Sequence, residues 1–252
     1  MYYGMYVSAA GAHALGQKVE VLSNNLANVD TSGFKRELAL FEARDAEAIE
    51  RGQVARGARG VEDVGGGVRM RETATDWSLG TLKQTGIESD LALDNPGDFF
   101  LIQHNGEPAL TRAGNFSVSP DGRWLTQSGD PLLAADGTVL QIDPGSPFRV
   151  LPGGVIETPG DQIEIGIRRV AQPGDLVRAG DNTFTAPYTQ LAAVPVEERR
   201  VFPGMLESSA VQPTREMVDL IATSRAYEAN VRMIQHHDGM MASLVNRALR
   251  QS

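Results

Sequence analysis

From Met5 onward, apolar side chains return at helical spacing. Met5, Ala12, Val19 and Leu26 lie seven residues apart, and Ser8, Leu15 and Leu22 form a second row beside them. Paired rows of this kind predict a helix with a narrow apolar seam suited to another helix. The turn formers Asn28-Val29-Asp30-Thr31-Ser32-Gly33 then end it. The last forty residues repeat the design. Leu220, Tyr227, Ile234, Met241 and Ala248 form one row, and Met217, Ser224, Val231, Asp238 and Val245 the other, interrupted by polar residues. Pro213 fits the first turn, with Glu216 and Asp219 near the positive end of the helix dipole and Arg247 and Arg250 near the negative end. A helix over this span is roughly 55 Å long, too long to be buried in a domain of this size.

Between the two ends the pattern changes. Gln162-Ile163-Glu164-Ile165-Gly166-Ile167-Arg168 alternates with period two, and Phe99-Phe100-Leu101-Ile102 is a short apolar run. Asn105-Gly106, Asp121-Gly122 and Asp136-Gly137 are hairpin-type turn pairs. The expected fold is therefore mixed: long N- and C-terminal α-helices pairing as a coiled-coil-like layer, with a central, mainly antiparallel β domain. Residues 52–67 are glycine-rich without apolar periodicity and read as a flexible linker. The expected organisation is an N-terminal helix over 1–30, an extended connector and linker over 31–82, the β domain over 83–205, and a C-terminal connector and helix over 206–252.

Composition narrows the function. The chain has 252 residues and no cysteine, which removes disulfides and thiolate chemistry. The net charge is −9, which argues against nucleic acid as a partner. All of it falls in the middle segment: residues 1–30 carry net −1 and residues 213–252 net +1. No apolar run approaches the ~20 residues that span a bilayer, so direct membrane insertion is not expected. Met1-Tyr2-Tyr3-Gly4-Met5 lacks the basic-then-apolar pattern of a Sec signal peptide. The near-neutral helices can bury their seams on each other or against neighbouring subunits. Val7, Val21, Ile221, Met233, Met240 and Leu244 lie on outer faces that a two-helix pair leaves wet, which argues for further cover from neighbours.

Several blocks then carry a family resemblance. Ser23-Asn24-Asn25-Leu26-Ala27-Asn28-Val29-Asp30-Thr31-Ser32-Gly33-Phe34-Lys35 resembles the N-terminal signature of the bacterial flagellar rod and hook proteins. The likeness continues at Asp90-Leu91-Ala92-Leu93 with Gly97-Asp98-Phe99-Phe100, and at Thr111-Arg112-Ala113-Gly114-Asn115-Phe116. It returns at Gly204-Met205-Leu206-Glu207-Ser208-Ser209-Ala210-Val211 and at Ser224-Arg225-Ala226-Tyr227-Glu228-Ala229-Asn230. Length and a single compact β core resemble the rod branches rather than the longer hook protein, and Ala9-Ala10-Gly11-Ala12 is closer to the FlgF type than to the FlgG type. Ala210 departs from the family's usual asparagine there, so no side-chain role is carried onto it.

The resemblance implies a structural subunit of the periplasmic basal-body rod. It implies export by the flagellar type III apparatus without a cleaved signal, and assembly with copies of itself and other rod subunits. Both helical ends would form an inner layer and the β domain a layer outside it, in a shaft that carries torque from motor to hook. No enzyme activity, cofactor or metal is expected.

The residues expected at the assembly interface are Leu15, Val19, Leu22, Asn24, Asn25, Leu26, Asn28, Thr31, Gly33 and Phe34 from the N-terminal arm. From the C-terminal arm they are Leu206, Glu207, Leu220, Arg225, Tyr227, Glu228, Asn230, Ile234, Asp238 and Met241. Asn24, Asn25 and Asn28 read either as a frayed helix cap or as amides bridging to neighbouring subunits. Gly33 permits a positive-φ exit, and Phe34 anchors that exit by burial. Arg225 and Glu228, at i and i+3, read as a solvated pair or as a reach to a neighbour. Asp238, a carboxylate in a seam position, is expected to set helix register.

The enzymatic alternatives are thin. His236-His237-Asp238 looks like a metal cluster, but adjacent helical residues point about 100° apart. Gly65-Gly66-Gly67 lacks the lysine of a phosphate loop. A wall-remodelling hydrolase would use paired acids such as Asp90 with Asp94 or Glu88 with Asp98, which lie among turn residues and read as solvated. A carbohydrate-binding module would need more exposed aromatics than Trp77 and Trp124 provide.

Overall fold

A computed structural model describes residues 2–55, 65–186 and 191–249. The chain divides into two compact units: Met1–Ala27 with Glu37–Ala74 and Gln212–Ser252, and Asn28–Arg36 with Thr75–Val211.

The first unit is built on two long helices, α1 (Tyr2–Ala27) and, at the other end of the chain, α3 (Pro213–Leu249). Between them lie β1 (Glu37–Arg44), a short α2 (Glu47–Glu50) and β2 (Gly67–Thr75), with β1 and β2 forming a two-stranded sheet. The segment read as connector and linker thus contains a sheet that groups with the helices. The linker's middle, residues 56–64, lies outside the described residues. Its far edge is tightly built. Gly66 N–H donates to the Arg44 carbonyl at 2.6 Å, and a Cβ on Gly66 would sit 2.0 Å from the Asp45 carbonyl oxygen.

The helices run antiparallel in contact. A Cβ on Gly4 would lie 3.1 Å from His237 Nε2, one on Gly11 3.2 Å from Asn230 Oδ1, and one on Gly16 3.6 Å from the Tyr227 ring. One expected row of α3 is displaced. Leu220, Ile234 and Met241 are half-buried as the spacing requires, while Tyr227 of the same row is exposed, and the second row that turns inward is Glu216, Thr223, Asn230 and His237. Asn230 and His237 in it meet glycines, and all four members are polar, so a search for apolar periodicity passes over them. Asp238, one residue along, is exposed. No helix among the described residues is long and apolar enough to cross a membrane.

The second unit carries the remaining strands. In chain order these are β3 (Leu82–Gln84), β4 (Leu91–Leu93), β5 (Asp98–His104), β6 (Glu107–Thr111), β7 (Ser117–Val118), β8 (Trp124–Leu125), β9 (Arg149–Leu151) and β10 (Val155–Thr158). They continue with β11 (Asp161–Glu164), β12 (Ile167–Val170), β13 (Val177–Gly180), β14 (Thr183–Thr185), β15 (Leu191–Ala193), β16 (Val201–Pro203) and β17 (Met205–Glu207). Six of them form one sheet in the order β13-β14-β6-β5-β12-β15, with every pair antiparallel.

Strand β5 lies inside this sheet and is covered on both faces. Phe100 and Ile102 join a core with Trp124, Leu132 and Ile156, while Phe99 and Leu101 join a second core with Leu110 and Phe184. Burial on both sides explains why its residues read as a continuous apolar run rather than an alternating one. The alternating stretch from Gln162 to Arg168 is two strands, β11 and β12, in different sheets. The break falls at Gly166, where a Cβ would meet the Leu133 carbonyl oxygen at 2.7 Å and the chain must change direction.

Candidate functional site

At the centre of the second unit are three charged residues from distant parts of the chain. Glu207, on β17, is 2% exposed and receives four hydrogen bonds. Its Oε1 accepts from Lys35 Nζ at 2.7 Å and Gly80 N–H at 2.8 Å, and its Oε2 from Arg112 Nε at 2.9 Å and Nη2 at 2.7 Å. Arg112, directly after β6, donates its remaining hydrogens to the carbonyls of Asn95, Asp98 and Leu93 at 2.7, 2.5 and 2.9 Å. All five guanidinium donors are therefore used, which is the condition for burying that group. Lys35 also donates to the Ser78 carbonyl at 2.7 Å. Burial pushes the Lys35 ammonium below its ordinary range, opposed by the Glu207 carboxylate.

Around this cluster the chain enters and leaves the unit side by side. Gly33 N–H donates to the Glu207 carbonyl at 2.7 Å, and Ala210 N–H to the Phe34 carbonyl at 3.0 Å. Gly33 has φ +67°, and a Cβ there would lie 2.3 Å from the Arg112 carbonyl oxygen, so space and conformation both select glycine. Phe34 is buried beneath Arg178, whose guanidinium lies 4.9 Å from its ring centroid. The Arg178 Nη2 also donates to the Lys35 carbonyl. Ala210 contributes through its backbone, which any residue supplies.

In the first unit, Asn25 acts as a pin. It is fully buried at the end of α1. Its Nδ2 donates to the Glu37 carbonyl at 2.9 Å and its Oδ1 accepts from Glu37 N–H at 2.8 Å, as a paired strand would. The same Nδ2 lies 3.5 Å from Oε2 of the buried Glu216 at the start of α3.

The structure places the twenty expected interface residues at three depths. Leu22, Asn25, Gly33, Phe34 and Glu207 are buried within their own unit. The polar groups of Asn25 and Glu207 are bonded within the chain. Leu15, Val19, Leu26, Asn28, Thr31, Leu206, Leu220, Asn230, Ile234 and Met241 are half-buried, and Asn24, Arg225, Tyr227, Glu228 and Asp238 are exposed. Thr31 Oγ1 and Asn28 Oδ1 lie 3.1 Å apart across the turn that follows α1. Glu228 pairs with Arg232 at 3.9 Å, one turn on, rather than with Arg225. The acids read as solvated are not all so: Asp98 is 2% exposed and paired with Arg169 at 2.7 Å, and Asp90 is 6% exposed. His237 is half-buried against Gly4 and His236 is exposed.

Sequence reasoning missed Lys35 and Arg112 as site residues. They stood inside the recognised blocks, but a charged side chain reads as surface until its partner is known. Exposed apolar residues remain on α3, among them Val218 (60%), Ile221 (55%), Met233 (51%), Met240 (52%), Val245 (54%) and Leu249 (69%).

Comparison with known proteins matches both ends of the chain to one group. Residues 5–35 match the family described as Flagella basal body rod protein, and residues 203–247 the one described as Flagellar basal body rod FlgEFG protein C-terminal. The chain is 32% identical to the flagellar basal-body rod protein FlgF of Caulobacter vibrioides, covering 96% of each chain. It is 31% identical to FlgG of the same organism, over 93% of this chain and 95% of the relative. Against FlgF of Rhizobium meliloti it is 30% identical, over 96% and 95%.

Proposed function

The chain belongs to the flagellar basal-body rod protein family, a group of structural proteins rather than enzymes, and from that premise we propose that it polymerises into the rod through its terminal helices. In this reading α1 and α3 pair as a coiled-coil-like layer, and their outer apolar residues are covered by neighbouring copies and other rod subunits. The subunit leaves the cell through the flagellar type III apparatus and helps transmit torque from motor to hook across the periplasm.

The observation that carries the reading is the exposed apolar set on α3. Val218, Ile221, Met233, Met240, Val245 and Leu249 are each more than half exposed. Large apolar groups in that number on one helix mark an interaction surface. The half-buried residues Leu15, Val19, Leu220, Ile234 and Met241 would hold the helices together beneath that surface.

The test is a chain carrying Met233→Ser, Met240→Ser and Leu244→Ser, expressed in a strain lacking its own copy. Unfolding of the β unit is expected to stay within about 0.5 kcal/mol of the unaltered chain, as for ordinary surface changes. Purified basal bodies are expected to lack the subunit. Normal incorporation would remove the proposal.

Within the family, the FlgF-type proximal rod is the favoured place, on the Ala9-Ala10-Gly11-Ala12 stretch. The FlgG-type distal rod is the second reading, and the near-equal identity to the two Caulobacter proteins keeps it in play. Expression in Caulobacter strains lacking one or the other separates them, since motility returns only where the missing part is replaced.

A further inference from the structure

Glu216, Thr223, Asn230 and His237 stand at intervals of seven along α3, and Asn25, Lys18, Gly11 and Gly4 at the same interval back along α1. Three rungs are fixed by contact. Asn25 Nδ2 reaches Glu216 Oε2 at 3.5 Å, and Cβ atoms built on Gly11 and Gly4 would lie 3.2 Å from Asn230 Oδ1 and 3.1 Å from His237 Nε2. The register they set brings Lys18 opposite Thr223, which is 4% exposed.

We propose that this polar ladder, and not the apolar rows, fixes the register of the α1–α3 pair. An apolar row repeating every seven residues is nearly indifferent to a slip of seven, because each side chain meets an equivalent one. The ladder is not indifferent. A slip in one direction moves Asn230 from Gly11 to Lys18, where no glycine leaves room for it. A slip in the other direction carries Asn25 past the beginning of α3, and its buried amide loses Glu216. Lys18 held against Asn230 disfavours the first slip, and the loss of the Asn25–Glu216 approach disfavours the second, although Asn25 keeps its two bonds to Glu37 in either. Polar groups at helix–helix contacts specify register at the expense of stability. The Asn230 rung is also self-consistent: Asn230 Nδ2 donates to the Ala226 carbonyl at 3.0 Å, so the amide is satisfied while it lies over Gly11.

The role expected for Asp238 therefore falls to the row beside it. The proposal concerns one subunit and does not depend on the assembly role, so the two stand or fall separately.

The chain has no cysteine, so single engineered ones can be labelled without background. Spin labels on Ser23→Cys and Gln235→Cys, both exposed positions, report the axial offset of the helices by electron–electron double resonance. In the otherwise unaltered chain one distance is expected. With Thr223→Leu, Asn230→Leu and His237→Leu added, a second population is expected, displaced along the axis by about 10 Å, one slip of seven residues. The helices of that variant are expected to melt at a higher temperature by circular dichroism. Should the triple variant lose its helices, Asn230→Leu alone is measured in its place, and a smaller second population is expected. A single unchanged distance in the variant that folds would overturn the proposal. So would the lack of any defined distance in the unaltered background.

Discussion

The two units use similar residues to opposite ends. In the β unit, every charge at the centre is answered from within: one carboxylate, Glu207, holds two cations, and Arg112 uses all five of its donors. Most of its large apolar residues are inside, with Phe99, Phe100 and Ile102 fully buried, and Ile87 and Val177 are the most exposed of the few that are not. In the helical unit the contact between α1 and α3 mixes glycines and polar side chains with half-buried apolar ones such as Leu220, Ile234 and Met241, while Val218, Ile221, Met233, Met240 and Val245 of α3 face outward. The first satisfies its buried charges within a single copy. The second presents outward the kind of surface that folding ordinarily conceals. A unit's polarity, taken alone, is thus a poor guide to where its interfaces lie, and what matters is whether its apolar groups have been covered.

This contrast can be broken most severely at Glu207. Replacing it with alanine leaves Lys35 and Arg112 buried without a counter-charge, and the expected loss is about 3–5 kcal/mol in the β unit by urea unfolding. A chain that tolerates Glu207→Ala with less than about 1 kcal/mol of loss would mean the cluster is better solvated than its burial implies. Asn25→Ala is the corresponding cut in the helical unit. It removes both hydrogen bonds to the Glu37 backbone, for an expected cost of about 1–3 kcal/mol, with faster hydrogen exchange at the Glu37 amide. Unchanged exchange there would show that Asn25 does not hold β1.

The smallest effect is expected at Asp76. The Ser78 backbone N–H, 3.0 Å away, holds its carboxyl below the ordinary carboxylate range. Its contribution to stability is therefore present above the unfolded value and fades as the pH falls through the lower folded one. Asp76→Asn should flatten the acid side of the stability curve by less than about 1 kcal/mol. An acid limb of unchanged slope would count against it.

Much of this was readable in the chain itself. The turn formers at Asn28–Gly33 stop α1 at Ala27, and Pro213 begins α3. Asn105-Gly106 joins β5 to β6, as its turn chemistry requires. What was not readable depends on partners far away in sequence. Lys35 finds Glu207 172 residues on, and Arg112 finds it 95 residues on, so neither burial could be inferred from neighbours. The inward polar row of α3 was hidden for a related reason. Asn230 and His237 are tolerated there only because Gly11 and Gly4 lie across from them. The recognised blocks named most of these residues, but gave no reason for them. The reason is that Gly33, Lys35, Leu93, Asp98 and Arg112 are joined to Glu207 directly or through Arg112.

The place where the chain enters and leaves the β unit has a mechanical consequence. Gly33 bonds to Glu207, and Phe34 to Ala210, so the two short segments advance in the same direction. Tension drawn between Asn28 and Val211 pulls these segments past each other lengthwise, loading both bonds together with the Lys35–Glu207 ion pair. Such an arrangement yields in shear, all at once, rather than unzipping bond by bond. The force also passes directly from one segment to the other. The strands from Leu82 to Pro203 sit outside that load path, and stay slack while the clasp holds.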